Sequence, residues 1–425
     1  MALVLLFVIL FALLIAGAPV AVALGVASLV FIMMSGLPDV VVLHNMVNGI
    51  NSFPLIAVPF FIMAGHLMNS AGITSRIFAF ARATVGWMYG GLGHVNVGAS
   101  VVFAGMSGAA VADAGGLGNI EIKAMREAGY DTDFSVGVTA ASSTIGPIIP
   151  PSLPLVVYGV ISDTSIGQLF AAGLIPGLIM AMALMVMVAF YAKIRNYPRD
   201  ERFQVKAFIK ALGNALLPLF TPLIIVGGIL TGIFTPTEAA IAAVAYSAFL
   251  GLVVYRTLNA KRLLRVSMDT VETTASIMLI VAASAIFAWI LTANQVAQMF
   301  AQNLLTFVDG KIAILLIIML IVLIVGCFME TLAAITILTP VLLPVAMQVG
   351  VDPVHFGIIL ILNLMIGLLT PPVGLVLYVL SKVSDVPFER CFTATAPFLI
   401  PLVLVLLTLT FVPELSMWLP TAVYR

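Results

Sequence analysis

Apolar runs of about 20 residues, the length that crosses a bilayer core as a helix, follow one another along almost the whole chain. They predict spans over about 3–34, 50–70, 133–160, 167–192, 213–231, 237–256, 273–292, 356–380 and 393–414. The first run is read as a retained span with Pro19 breaking it early, because it has no basic stretch before it and continues past Ala16-Gly17-Ala18. Thr74–Trp87 and Thr292–Phe307 alternate instead at helical spacing, as arms lying along the membrane surface do. Two further segments are apolar but interrupted. Val95–Lys123 carries Ser107, Gly108, Asp113 and several glycines at mid-depth, where a charge costs about 2.5–3.5 kcal/mol even on a lenient scale. It is expected to be a re-entrant hairpin with its tip near Ser107–Asp113. Residues 311–350 form the second, broken at Gly326–Thr331 and again at Pro340 and Pro344.

Two spans contain a double proline, Pro150-Pro151 within Gly146–Tyr158 and Pro371-Pro372 within Gly367–Tyr378. Proline lacks the N–H and clashes with the preceding turn, so each pair interrupts its helix. In hydrocarbon such backbone survives only inside protein or along a wet cavity. Broken spans at matching positions of two halves point to a transporter's binding site. Pro371 lies 221 positions after Pro150, and the same offset relates Gly105 to Gly326 and Gly146 to Gly367. Pro19 pairs with Pro236.

Each half therefore reads span, span, arm, hairpin, broken span, span. Residues 1–192 form the first repeat and 236–425 the second, joined at 193–235 by a basic loop and a linker span. Lys193, Arg195, Arg199, Arg202, Lys206 and Lys210, then Arg256, Lys261, Arg262 and Arg265, mark cytoplasmic loops. Arg76, Arg82, Lys123 and Arg126 flank the first arm and hairpin mouth, whereas the second has only Lys311. The repeats are thus expected to be inverted. The fold class is an all-α integral membrane protein, an inverted-topology repeat with two re-entrant hairpins and two broken helices.

Composition agrees: 62% hydrophobic, 8% charged, mean hydropathy +1.22 and net charge zero. Soluble domains carry about 25% charged residues, and the charge balance argues against nucleic acid. Cys327, Cys391, His44, His66, His94 and His355 have no metal-like spacing, and no histidine–carboxylate or cysteine constellation suggests an enzyme. A channel would need a continuous polar pore, whereas the polar residues here gather at two tips and two breaks.

Across essentially its whole length the chain resembles the large membrane subunit of tripartite ATP-independent periplasmic (TRAP) transporters. The resemblance rests on Gly129-Tyr130-Asp131, Ile149-Pro150-Pro151-Ser152 with Val157-Tyr158-Gly159, Phe328-Met329-Glu330-Thr331, Thr339-Pro340 with Leu343-Pro344, and Gly367 to Gly374. Glu330 stands where a shorter Asp is expected, and Ala109 where a further hydroxyl is common. The resemblance implies sodium-coupled import of an organic acid, of the sialic acid or C4-dicarboxylate class, into the bacterial cytoplasm across the inner membrane. It also implies delivery by a soluble periplasmic binding protein, a small four-helix membrane subunit as partner, and an elevator-type motion. A stand-alone sodium/dicarboxylate symporter of like architecture is the alternative.

Unwound helices offer carbonyls and hydroxyls to sodium. The candidates are Ser107, Gly108, Ser142, Ser143, Gly146 and Pro147 in the first half, and Gly326, Thr331, Gly367 and Thr370 in the second. One ion per half-site predicts at least two sodium ions. Half-helix N-termini favour an anion, which places the substrate between the tips against Ser107, Ser152 and Glu330. A carboxylate at 330 suits a hydroxylated sugar acid. Asp113 reads equally as structural or functional, and Glu238 is expected to cap the span after Thr235-Pro236-Thr237.

Overall fold

The computed structural model describes residues 2–38, 40–198, 203–299, 302 and 310–424, apart from the side chains of Met106 and Ser107. All regular elements among them are helical, and eight helices are long and apolar enough to cross a membrane.

The first half begins with α1 (Ala2–Ile15) and α2 (Val20–Met34). These replace the single span expected over 3–34. Gly17 turns the chain at φ 83°, Pro19 starts α2, and the two helices pack together. At 14 residues, α1 reaches only about 21 Å, short of the bilayer core. Next, α3 (Val40–Ile50) falls where no element was expected. A 3₁₀ turn at Phe53–Ile56 leads into α4 (Ala57–Ser70). The first arm is α5 (Ile73–Val85). The hairpin is α6 (Gly91–Ser107) and α7 (Ala110–Glu127), turning at Gly108-Ala109. The broken span is α8 (Thr132–Ser143) and α9 (Leu153–Ile161), followed by α10 (Ile166–Arg195).

The linker span is α11 (Val205–Leu230). The second half opens with α12 (Pro236–Phe249), which continues as a π-helical turn, Leu250–Val254. Glu238 and Thr235 form the capping box expected there. Then come α13 (Ala260–Ala293), the hairpin α14 (Lys311–Phe328) and α15 (Thr331–Gln348), and the broken span α16 (Pro353–Gly367) and α17 (Leu375–Ser384). The chain ends with α18 (Phe388–Phe411) and α19 (Glu414–Val423).

Two further expectations change. α15 runs unbroken through Pro340 and Pro344. Each proline forfeits one backbone hydrogen bond, and packed membrane helices tolerate that loss. The basic loops are largely helix ends: Lys206 and Lys210 lie in α11, and Lys261, Arg262 and Arg265 open α13. Arg199 and Arg202 lie outside the described residues, as do residues 300, 301 and 303–307 of the arm expected at Thr292–Phe307.

The halves run in opposite directions. Broken span α8–α9 starts beside the first hairpin's mouth, and Tyr158 at its far end donates to the Pro353 carbonyl (2.6 Å), beside the second hairpin's mouth. Broken span α16–α17 makes the reverse crossing and ends where Arg126, at the first mouth, donates to the Ser384 carbonyl (2.6 Å). The exchange is reciprocal, with α7 packed on α17 and α15 on α9. Apart from these, α2, α3, α4 and α12 gather around α13 and one another.

At the first mouth, Tyr197 and Arg195 each donate to Asp131 (2.7 Å), and the tyrosine hydroxyl with the guanidinium holds that carboxyl below the usual carboxylate range. Arg390 pairs with Asp133 at 2.7 Å. Both links tie the start of α8 to neighbouring helix ends.

Candidate functional site

Each hairpin tip is seated on the break of its own half. Gly108 turns the first tip at φ 59°, and a Cβ there would lie 2.7 Å from the Pro151 carbonyl oxygen and 3.2 Å from the Leu153 nitrogen. Only glycine permits that approach. In the second half Gly326 and Gly367 meet backbone to backbone, and a Cβ on Gly367 would lie 2.6 Å from the Gly326 carbonyl carbon. The Cys327 carbonyl accepts from the N–H groups of Val373 (3.2 Å) and Gly374 (3.4 Å), so loop 368–374 is stitched to the end of α14. Both double prolines, Pro150-Pro151 and Pro371-Pro372, have cis peptide bonds.

The hydroxyls named from the sequence are largely engaged. Ser152 donates to the Pro147 carbonyl and accepts from Leu155 N–H (3.2 Å), so it braces the break and caps α9 while fully buried. Ser143 donates to the Ala140 carbonyl (2.8 Å). Thr370 donates to the Gly367 carbonyl and meets the Cys327 thiol, both at 2.9 Å. Glu330 takes the N–H groups of Leu332 (2.9 Å) and Ala333 (3.2 Å) on one oxygen. It therefore caps α15, an arrangement the sequence reading did not foresee. The Ser107 side chain lies outside the described residues. Asp113 sits against the first break, where a Cβ on Gly146 would come 2.5 Å from its Oδ2.

Ser142 leads to a network that the sequence reading missed. Its hydroxyl donates to Asn96 Oδ1 (2.6 Å), and Asn96 Nδ2 donates to Glu121 Oε2 and Thr139 Oγ1 (each 2.7 Å). All four side chains are buried. The available signal was Glu121 two turns beyond Asp113 on one stripe of α7, facing the protein rather than the hairpin's mouth.

A cavity of about 610 Å³ joins both halves. Its walls come from the first tip (Ala109–Ala112), the first break (Pro147, Leu153, Pro154), the second tip (Glu330–Leu332) and the second broken span (Met365, Leu368, Leu375). The remaining wall is α13, with Glu272, Thr273, Ser276, Ile277 and Ile280. Of the sequence candidates, Pro147, Glu330 and Thr331 line it. Gly108, Ser142, Ser143, Gly146, Ser152, Gly326, Gly367 and Thr370 stand behind that lining in the breaks and tips. No Lys, Arg or His is among the lining residues, and among the described residues no cluster of metal-ligating side chains occurs. Any anion held there would rely on backbone N–H groups and accompanying cations.

The sequence profile of the tripartite ATP-independent periplasmic transporter DctM component matches residues 7–415. The chain is 50% identical over 409 residues to the sialic acid TRAP transporter large permease protein SiaM of Vibrio cholerae, covering 96% of each. It is 42% identical over 405 residues to the sialic acid TRAP transporter permease protein SiaT of Haemophilus influenzae, covering 95% of this chain and 66% of that one. Among solved structures, the Alcanivorax borkumensis YdaH transporter superposes with a TM-score of 0.66 at 14% identity, covering 88% of each chain. That likeness concerns the fold.

Proposed function

Because the chain belongs to the DctM component family of tripartite ATP-independent periplasmic transporters, we propose that it imports a sialic acid, driven by sodium. The observation that carries this reading is a cavity walled jointly by both hairpin tips and both broken spans. A substrate carboxylate would meet the positive ends of the half-helices that start at Leu153 and Thr331. Sodium would occupy the two tip-on-break junctions, taking carbonyls from around Gly108, Gly146 and Pro147 in one half and around Gly326, Gly367 and Thr370 in the other. The hydroxyls of Ser143 and Thr370 already point at carbonyls of their own helices, so they shape these junctions more than they supply free ligands.

Two sodium ions moving down a tenfold gradient and a 100 mV potential release about 7 kcal/mol, sufficient to concentrate a substrate about 10⁵-fold when no net charge opposes it. Transport would be an elevator motion in which hairpins and broken spans move against α2–α4, α12 and α13. The working assembly would include a small four-helix membrane subunit and a soluble periplasmic binding protein, in a bacterial inner membrane.

The test is uptake of radiolabelled sialic acid into proteoliposomes holding this chain and the small subunit. Uptake should require an inward sodium gradient and added binding protein, with a sodium-to-substrate ratio of at least two. Uptake that proceeds at full rate without binding protein would favour a stand-alone symporter, and uptake indifferent to sodium would defeat the coupling.

A further inference from the structure

The cavity has one wall that neither hairpins nor broken spans supply. On α13, Thr273, Ser276, Ile277 and Ile280 face it at helical spacing, with Glu272 at the edge of that stripe. The polar three lie toward the helix's basic end at Lys261, Arg262 and Arg265, and the apolar two lie deeper. Glu272 is residue 13 of the 34-residue α13, immediately before the span expected over 273–292, so it stands at the membrane boundary on the helix's basic side. An ionisable side chain bordering apolar spans keeps its charge where it faces water or a partner. Among the described residues it makes no ion pair, and it is solvent-exposed. The Ser276 hydroxyl donates to the Glu272 backbone carbonyl (3.0 Å) rather than to its carboxylate, and Glu272 lines the cavity.

We propose that Glu272, backed by Thr273 and Ser276, is a selectivity element for the substrate. Its carboxylate accepts hydrogen bonds from substrate hydroxyls and repels a second carboxylate, so the permease itself favours hydroxyl-rich monocarboxylates over dicarboxylates. Charge sets the preference. Glu330 spends one oxygen on its own helix N-terminus, where the dipole offsets its charge. Glu272 sits mid-helix with no such offset and no cationic neighbour in the lining. A monocarboxylate can turn its single charge toward the half-helix N-termini and its hydroxyls toward Glu272. A dicarboxylate placed the same way sets like charges against each other. The element belongs to α13 rather than to the hairpins, so it acts on the route as well as on the bound state. This inference rests on the cavity being the transport site.

The experiment uses this chain with its small membrane subunit in nanodiscs, without binding protein, so that selection upstream does not enter. Binding of radiolabelled sialic acid is measured with succinate as competitor for wild type, Glu272→Gln, Glu272→Asp and Ser276→Ala. Succinate is expected to compete about tenfold better against Glu272→Gln than against wild type. In that variant sialic acid binds a few-fold more weakly, and Glu272→Asp keeps most of the discrimination. Unchanged succinate competition in Glu272→Gln, with sialic acid still bound, overturns the proposal. Wild-type protein that binds neither acid defeats the transport reading of the cavity itself.

Discussion

At residue 330 a carboxylate lines the cavity proposed to hold an anion, and the capping geometry resolves the apparent conflict. One oxygen of Glu330 closes the first turn of α15 on the N–H groups of Leu332 and Ala333, and the side chain still forms part of the cavity wall. Replacing it by alanine leaves those donors facing the cavity and costs about 1 kcal/mol, as loss of an N-cap usually does. Aspartate at the same position caps as well. In thermal melts of purified protein, Glu330→Ala should unfold earlier than wild type while Glu330→Asp stays close to it, and uptake should fall to background only in the alanine variant. An alanine variant with wild-type melting and wild-type uptake would remove Glu330 from both roles. Ser152 shows the same economy: a residue expected against substrate turns out to hold the break's own shape.

Among the elements, the junction of α14 with the end of α16 leaves least room for change. A Cβ on Gly367 would lie within 2.6–3.0 Å of three Gly326 backbone atoms, and backbone cannot swing aside as a side chain does. Gly367→Ala should therefore push the second tip off its break, destabilising by about 1–3 kcal/mol as overpacking does and stopping uptake. Gly116 of α7 makes the internal control, since nothing lies within 4 Å of a Cβ there. Alanine in that helix position should leave uptake intact and raise stability by about 0.5–1 kcal/mol. Equal melting of the two variants would show that the glycine contact is loose. Hairpins and breaks were legible because glycine, proline and a buried acid cannot sit in a plain span without a reason. Helix α3 was not, since Val40–Ile50 mixes His44, Asn45 and Asn48 with valines and matches neither a span nor a loop. Pro340 and Pro344 misled in the opposite sense, because a single proline only dents a helix that neighbours hold, whereas adjacent prolines break it.

For the molecule as a whole, the charge asymmetry of the two mouths gave the inversion, which the Tyr158–Pro353 and Arg126–Ser384 contacts bear out from opposite ends. Which helix would form the cavity's remaining wall was not readable, because it depends on how the halves interlock and not on any local pattern. That interlocking is also where the elevator reading is most exposed to test. Ser284 of α13 and Thr336 of α15 line one cavity of about 280 Å³ between the gathered spans and the second hairpin. Each spends its hydroxyl on a carbonyl of its own helix, Val281 and Ala333, so cysteine at either site disturbs little. Cys391 is buried, and half-buried Cys327 is replaced by serine to keep the background silent. If α15 slides along α13 during transport, oxidising a Ser284→Cys/Thr336→Cys pair should bring uptake to background and reduction should restore it, with either single variant unaffected. If α13 and α15 keep one fixed contact, the cross-linked protein transports at the rate of the reduced form, and the motion must be sought across a different boundary.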